Sequence, residues 1–433
     1  MRDLKKSRFT VEIPVAADWE KDAEAYIAIY HTLTGALLLL EESDWSDLFK
    51  DSRDSLDQEF IDELKDEGFL VRKDVDEFDV FECWKQQQVH NFDTITAKVN
   101  VTRKCNNRCT YCILDYEARE MTPDTARKMD EFYIKFIKDH RPLFVKDDYL
   151  GGEPLLNTKV LLESAQRRFD HCQKNNIDYS FSITTNGMLL TPEIVSNMNT
   201  MGLSGVRVSL AGPARIHDQL RPLATGGKTY DTIIQNLKVI SGMTPISIEC
   251  QYDSGTTDYK YMPEMLDDFK NHEIAVDSIF FTPILKKRGD CQFNCGIGDP
   301  KIALDLMKQV RAHGFSTERE APASLCRADF RAMLVFDTDG SIIPCPALQE
   351  GELAYGHVAK GIDFILESLL IKRKLPGKCM ADCELLPICM GGCRQQALVY
   401  HEDFAGIDCR YESLRFFLDD YIKETALAKL KAE

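Results

Sequence analysis

Between Thr94 and His313, short runs of β-branched and aromatic residues alternate with longer stretches whose apolar residues recur every three or four positions. The short runs are Thr96–Thr102, Phe144–Leu150, Tyr179–Thr184, Gly205–Leu210, Ile246–Tyr252 and Ser278–Leu285. Pro123–Lys138, Lys159–Lys174 and Asp231–Ile240 are helical stretches between them. Six strand–helix repeats of this length predict an α/β fold with a parallel sheet, curved or closed. In such barrels the chemistry gathers where the C-terminal ends of the strands open.

The pattern differs ahead of these repeats. Arg8–Pro14 alternates as a strand does, and Tyr26–Leu40 predicts a hairpin with Thr34-Gly35 near its turn. Two helical stretches follow, Ser43–Lys50 and Ser55–Glu67, the second stopped by Gly68, and then a short strand at Phe69–Val71. This predicts a separate winged-helix-like α+β unit over residues 1–92. At the other end, Ser413–Glu433 predicts an amphipathic helix that packs back on the body.

Composition narrows the function classes. The longest apolar run, Ala36–Leu40, is far short of the ~20 residues that span a bilayer, so no membrane partner is expected. The basic N-terminus MRDLKKSRFT has no apolar stretch behind it, so the expectation is a cytoplasmic protein without a signal peptide. A formal net charge of −17 disfavours nucleic acid, which needs a basic surface. Fifteen cysteines in such a chain favour metal binding over disulfides.

Cys105, Cys109 and Cys112 stand in a C-x3-C-x2-C spacing directly after the first strand run. Three close thiolates suit a soft metal or an iron–sulfur cluster. On a four-iron cluster, three cysteines leave one iron for a ligand that is not protein. A second block, Cys326, Cys345, Cys379, Cys383, Cys389, Cys393 and Cys409, fills the last third with turn-forming sequence such as Asp337-Thr338-Asp339-Gly340. Structural zinc is the competing reading of both. Cys83, Cys172 and Cys250 read as packed small hydrophobes, and the nine histidines show no ligand spacing.

The TRKCNNRCTYCILDY segment, with Tyr111 before its last cysteine, resembles the signature of radical S-adenosylmethionine (radical SAM) enzymes. The resemblance implies a partial (β/α)6 TIM-like barrel over residues 93–315. It also implies that S-adenosylmethionine chelates the open iron of a 4Fe-4S cluster and yields a 5′-deoxyadenosyl radical. By the same resemblance, Gly151-Gly152-Glu153-Pro154 holds the cofactor's amino group, and Thr185 and Asn186 in TTNG lie beside it. Ser209 and Arg221 take its ribose and carboxylate. The acid that usually follows the serine by two is Ala211 here. His217, inside that loop, is expected to be structural.

Residues 316–412 resemble the SPASM extension of these enzymes, which binds two auxiliary clusters. That implies three clusters in all. Cys379, Cys383, Cys389 and Cys409 would hold the second auxiliary cluster, and Cys326, Cys345 and Cys393 the first, which is then one thiolate short. The first cluster's last position is either open or completed by Cys291 or Cys295. Residues 413–433 form the terminal helix.

Residues 1–92 resemble leader-recognition modules, which add a peptide as an edge strand. The implied function is modification of a ribosomally made precursor peptide, forming a thioether or carbon–carbon link. The implied electron donor is a flavodoxin or ferredoxin. A sulfatase-maturase-like formylglycine-generating enzyme is the alternative, against which stands Pro346, where an acidic base would follow Cys345. A zinc-binding protein is the non-enzyme alternative. No catalytic acid or base is identifiable; Asp115, Tyr116 and Tyr252 are expected near the pocket.

Overall fold

The computed structural model describes residues 3–15, 26–49, 57–114, 118–255, 258–286, 293, 299–317, 325–348, 351–373 and 375–431. Its strands in chain order begin with β1 (Leu4–Lys6), β2 (Thr10–Val15), β3 (Tyr26–His31), β4 (Leu37–Glu41) and β5 (Leu70–Arg72). The large sheet contains β6 (Thr94–Thr102), β7 (Phe144–Gly151), β8 (Asp178–Thr185), β9 (Leu203–Leu210), β10 (Ile246–Tyr252) and β11 (Ser278–Pro283). Four short strands complete it: β12 (Met333–Phe336), β13 (Ser341–Ile343), β14 (Gly356–His357) and β15 (Gly361–Ile362).

Strands β6 to β11 lie side by side in sequence order, every neighbouring pair parallel. Their alternation explains the burial. Ile95, Ala97, Val99, Ile183, Val208 and Ile248 point to the helices and are buried there. The residues between them, such as Lys98, Asp148, Thr184, Arg207 and Glu249, are polar and face the concave side. The sheet does not close, because the outer edge of β6 is occupied by β12, which pairs with it in parallel (Val335↔Lys98, Phe336↔Val99). The antiparallel strands β13, β14 and β15 extend the sheet further. The cysteine-rich segment is thus continuous with the barrel sheet.

The N-terminal residues form a three-stranded antiparallel sheet, β2-β3-β4, and a β1-β5 pair. Its period-two pattern feeds two cores. Ile27 and Ile29 pack with Trp45, Leu48, Ile61 and Leu64 of the short helices Glu42–Asp47 and Gln58–Asp66 and the turn after the first. Val11, Ile13, Val15, Ala28 and Tyr30 pack on Leu414, Leu418, Ile422 and Ala426 of the terminal helix Tyr411–Leu430. The same face also meets Leu385 and Ile388, between the cysteines of the second block. The Thr32 hydroxyl donates to the Glu384 carbonyl at 2.5 Å and Arg8 to the Cys379 carbonyl at 3.0 Å. Residues 1–92 are therefore docked on the cysteine-rich segment, and the terminal helix packs on their sheet.

Candidate active site

The loop after β6 carries Cys105, Cys109 and Cys112, and all three line one wall of a cavity of about 580 Å³. Tyr111, Gly151, Gly152, Thr185, Asn186, Ser209 and Arg221 line it too, each at or just after a strand's C-terminal end. Glu249, Gln251 and Thr282 join them from β10 and β11.

Glu153 lies behind this wall, fully buried. Its carboxylate accepts from the Thr185 hydroxyl at 2.8 Å, the Asn186 amide at 2.7 Å and the Leu155 amide at 3.1 Å. Burial raises its pKa. Pro154 opens the short turn Pro154–Asn157 and is buried. Neither Glu153 nor Pro154 is a wall residue of the cavity. The glycines before them, which do line the cavity, are also packed tightly against backbone. A Cβ on Gly151 would sit 2.1 Å from the Thr102 carbonyl oxygen, and one on Gly152 2.2 Å from that of Lys104. The Gly152 and Glu153 amides donate to those same carbonyls at 2.8 Å. The glycines permit this backbone contact with the cysteine loop.

Arg221 is buried and donates to the Tyr111 hydroxyl at 2.8 Å, which donates in turn to Gln251 at 3.1 Å. Its Nε is buried with no partner among the described residues. Burial pushes the Tyr111 hydroxyl pKa up and the Cys105 thiol to about 11. The Asn186 side chain donates to Asn106 at 2.7 Å and approaches the Cys105 sulfur at 3.9 Å. Ala211 is buried, its amide hydrogen-bonded at 3.3 Å to His217, which is itself fully buried. The His217 ring packs edge-on against Tyr230.

The second block falls into two neighbourhoods. Burial pushes the Cys345 thiol up to about 12, with Cys326 and Cys393 adjacent. Burial likewise raises Cys383 to about 11, with Cys379 and Cys389 close by, and Cys409 lies beside Cys379 and Cys389. The first neighbourhood reaches the cavity: Cys393, Pro346 and Ala347 line it, as does Arg410. Cys291 and Cys295 lie outside the described residues, as do Asp115 and Tyr116.

Two residues stand elsewhere than expected. Cys83 is exposed, whereas Cys172 and Cys250 are buried. Tyr252 is buried in the core because strand alternation turns Gln251, its neighbour, to the cavity. Sequence reasoning also missed Arg103, Glu249, Gln251 and Arg410, whose only signal was their strand parity or their closeness to a cysteine.

Among the described residues, no three His, Cys, Asp or Glu side chains converge on one point as a single metal ion requires. The thiol-lined wall with an unpartnered guanidinium nitrogen beside it fits a cluster and a polar organic ligand.

Residues 99–248 match the family model described as the Radical SAM superfamily. The chain carries a radical SAM domain. It is 29% identical over 195 residues to a GTP 3′,8-cyclase of Clostridium botulinum, covering 43% of this chain and 56% of that protein. It is 24% identical over 237 residues to the radical SAM cyclopropyl synthase TigE of Paramaledivibacter caminithermalis, covering 50% and 48%. The chain thus spans about half the length of these curated relatives.

Among solved structures, anSMEcpe with bound AdoMet and a peptide superposes at a TM-score of 0.60 with 18% identity, covering 78% of this chain and 98% of that one. Streptococcus suis SuiB bound to S-adenosylmethionine superposes at 0.55 with 16% identity, covering 94% and 98%. SuiB has also been solved bound to its precursor peptide SuiA. At these identities the likeness is one of fold. The family match is confined to residues 99–248. Among the described residues no helix is long and apolar enough to cross a membrane.

Proposed function

We propose that this chain is a radical S-adenosylmethionine enzyme that modifies a ribosomally synthesised precursor peptide. The observation that carries the reading is the wall made by Cys105, Cys109 and Cys112, facing one cavity with Ser209, Arg221 and Asn186. Those thiolates would hold the cluster. When bound, the cluster and S-adenosylmethionine supply a carbon radical that abstracts a substrate hydrogen.

The chain's own residues do the rest. Arg221, locked against Tyr111 and Gln251, offers a buried guanidinium to a carboxylate. Glu153 holds Thr185 and the Asn186 backbone in place and, charged, favours an ammonium nearby. The sheet and the cysteine-rich segment together supply the walls of the cavity.

A peptide substrate is supported by the extent of the fold match. SuiB's likeness covers 94% of this chain against 78% for anSMEcpe, so residues 1–92 have room for a counterpart in it. We assign leader binding to residues 1–92. Strand β4 is an edge of its sheet, and Leu37 to Leu40 are only partly buried. An apolar edge of this kind is a template for an added strand. Residues 316–412 we read as SPASM-like, with the two cysteine neighbourhoods holding auxiliary clusters. A flavodoxin or ferredoxin would supply electrons.

The formylglycine-generating alternative also fits at the level of fold. Pro346, a cavity-wall residue next to Cys345, is no base and speaks against it. Anaerobic incubation with S-adenosylmethionine, reductant and candidate precursor peptides drawn from short reading frames near this gene tests the proposal. A loss of about 2 Da from a crosslinked core supports it. A peptide of unchanged mass alongside conversion of a sulfatase-derived peptide overturns it. For the incomplete first neighbourhood, replacing Cys291 and Cys295 together with alanine lowers iron per chain if they are ligands. Unchanged iron means that the position is open.

A further inference from the structure

Arg103 precedes Cys105 by two residues, and Asp337 precedes Cys345 by eight. The parallel pairing of β6 with β12 brings both to the same end of the sheet, 234 residues apart in sequence. Their side chains, 2% and 0% exposed, form a two-point pair: Nε to Oδ1 at 3.0 Å and Nη2 to Oδ2 at 2.5 Å. Nη2 also donates to the Leu348 carbonyl at 3.3 Å, and the Leu348 amide closes the turn onto the Cys345 carbonyl at 3.2 Å. Asp337 is fixed in turn by Asn100 at 3.4 Å and the Thr338 amide at 2.8 Å. Arg103, Cys105, Pro346 and Ala347 line the same cavity.

A pair this buried adds little net stability, because desolvating both charges offsets their attraction. What a planar fork on a carboxylate does supply is orientation. The two chain segments joined here each carry cysteines, Cys105 two residues after Arg103 and Cys345 eight after Asp337, and both segments contribute to the cavity lining. We infer that Arg103 is a positioning residue, anchored by Asp337, that fixes the Cys345 turn against the Cys105 loop beside the cavity that both segments line. The consequence for turnover rests on the proposed function; the geometric claim does not.

The test pairs two variants. Arg103→Met with Asp337→Leu removes both charges together and so avoids a stranded buried ion. Arg103→Lys keeps the charge but loses the fork. In the metal-free full chain, Cys345 in either variant is expected to react with iodoacetamide about tenfold faster than in the parent, while Cys172 keeps its rate as an internal control. In reconstituted enzyme, 5′-deoxyadenosine released per peptide modified is expected to rise about tenfold. Parent-like Cys345 labelling in both variants overturns the inference. Should the double variant not fold, Arg103→Lys decides alone. Should the parent form no 5′-deoxyadenosine, the functional reading falls while the labelling comparison still judges the strut.

Discussion

At the scale of residues, the molecule keeps its most consequential charges away from water. On the helix side of the sheet, Arg168 is fully buried and donates to Asp130 and Asp147, both at 2.8 Å, with Tyr133 donating to Asp147 at 2.9 Å. Arg168→Met strands two buried carboxylates, so it should cost about 3–5 kcal/mol, visible as a lower unfolding midpoint in urea. His31 makes a different prediction. Buried among Phe9, Phe69 and Ser7, it has its pKa lowered by that burial to about 4, from an ordinary value near 6.5. Between those two values the folded chain binds fewer protons than the unfolded one, so stability falls as pH drops from about 6.5 towards 4. His31→Gln should narrow the gap in melting temperature between pH 7 and pH 5; an unchanged gap would place the acid sensitivity elsewhere. None of these networks was legible in sequence. Asp147 and Asp148 look alike in a string, and only the pleat sends one to Arg168 and the other to Lys98 at 2.9 Å.

At the scale of elements, the regular part was legible and the irregular part was not. All six barrel strands lie within two residues of their expected ends, because β-branched alternation and helical periodicity there agree. The loops after them carried the site residues for the same reason: each motif directly follows a strand. Strand β12 escaped notice since Met333–Phe336 is only four residues long. Its pairing with β6 is what leaves the barrel open. The partner of the terminal helix was equally hidden, because an apolar stripe does not say which surface it covers. Leu418 is fully buried between that helix and the N-terminal sheet. Leu418→Ala should cost roughly 2–5 kcal/mol. It should also speed amide exchange in β2 and β3 more than in β8, which hydrogen exchange with mass spectrometry can resolve.

At the scale of the whole molecule, the cysteine-rich segment is the hub. It continues the barrel sheet on one side, carries the N-terminal sheet on another, and brings Cys393 and Arg410 to the cavity. Its own interior relies on buried charge: Arg394 donates to Asp329 at 2.6 Å, and Arg373 reaches Asp329 at 3.4 Å and the Gly392 carbonyl at 2.8 Å. The N-terminal sheet, the second cysteine block and the Cys105 loop are thereby joined through one segment. The most direct test of this account is anaerobic reconstitution of the full chain with iron and sulfide, followed by reduction in the presence of S-adenosylmethionine. The account predicts a brown protein that releases 5′-deoxyadenosine, with release abolished by replacing Cys105, Cys109 and Cys112 together with alanine. A colourless protein that takes up zinc instead, or 5′-deoxyadenosine release that survives loss of those three thiols, would contradict it.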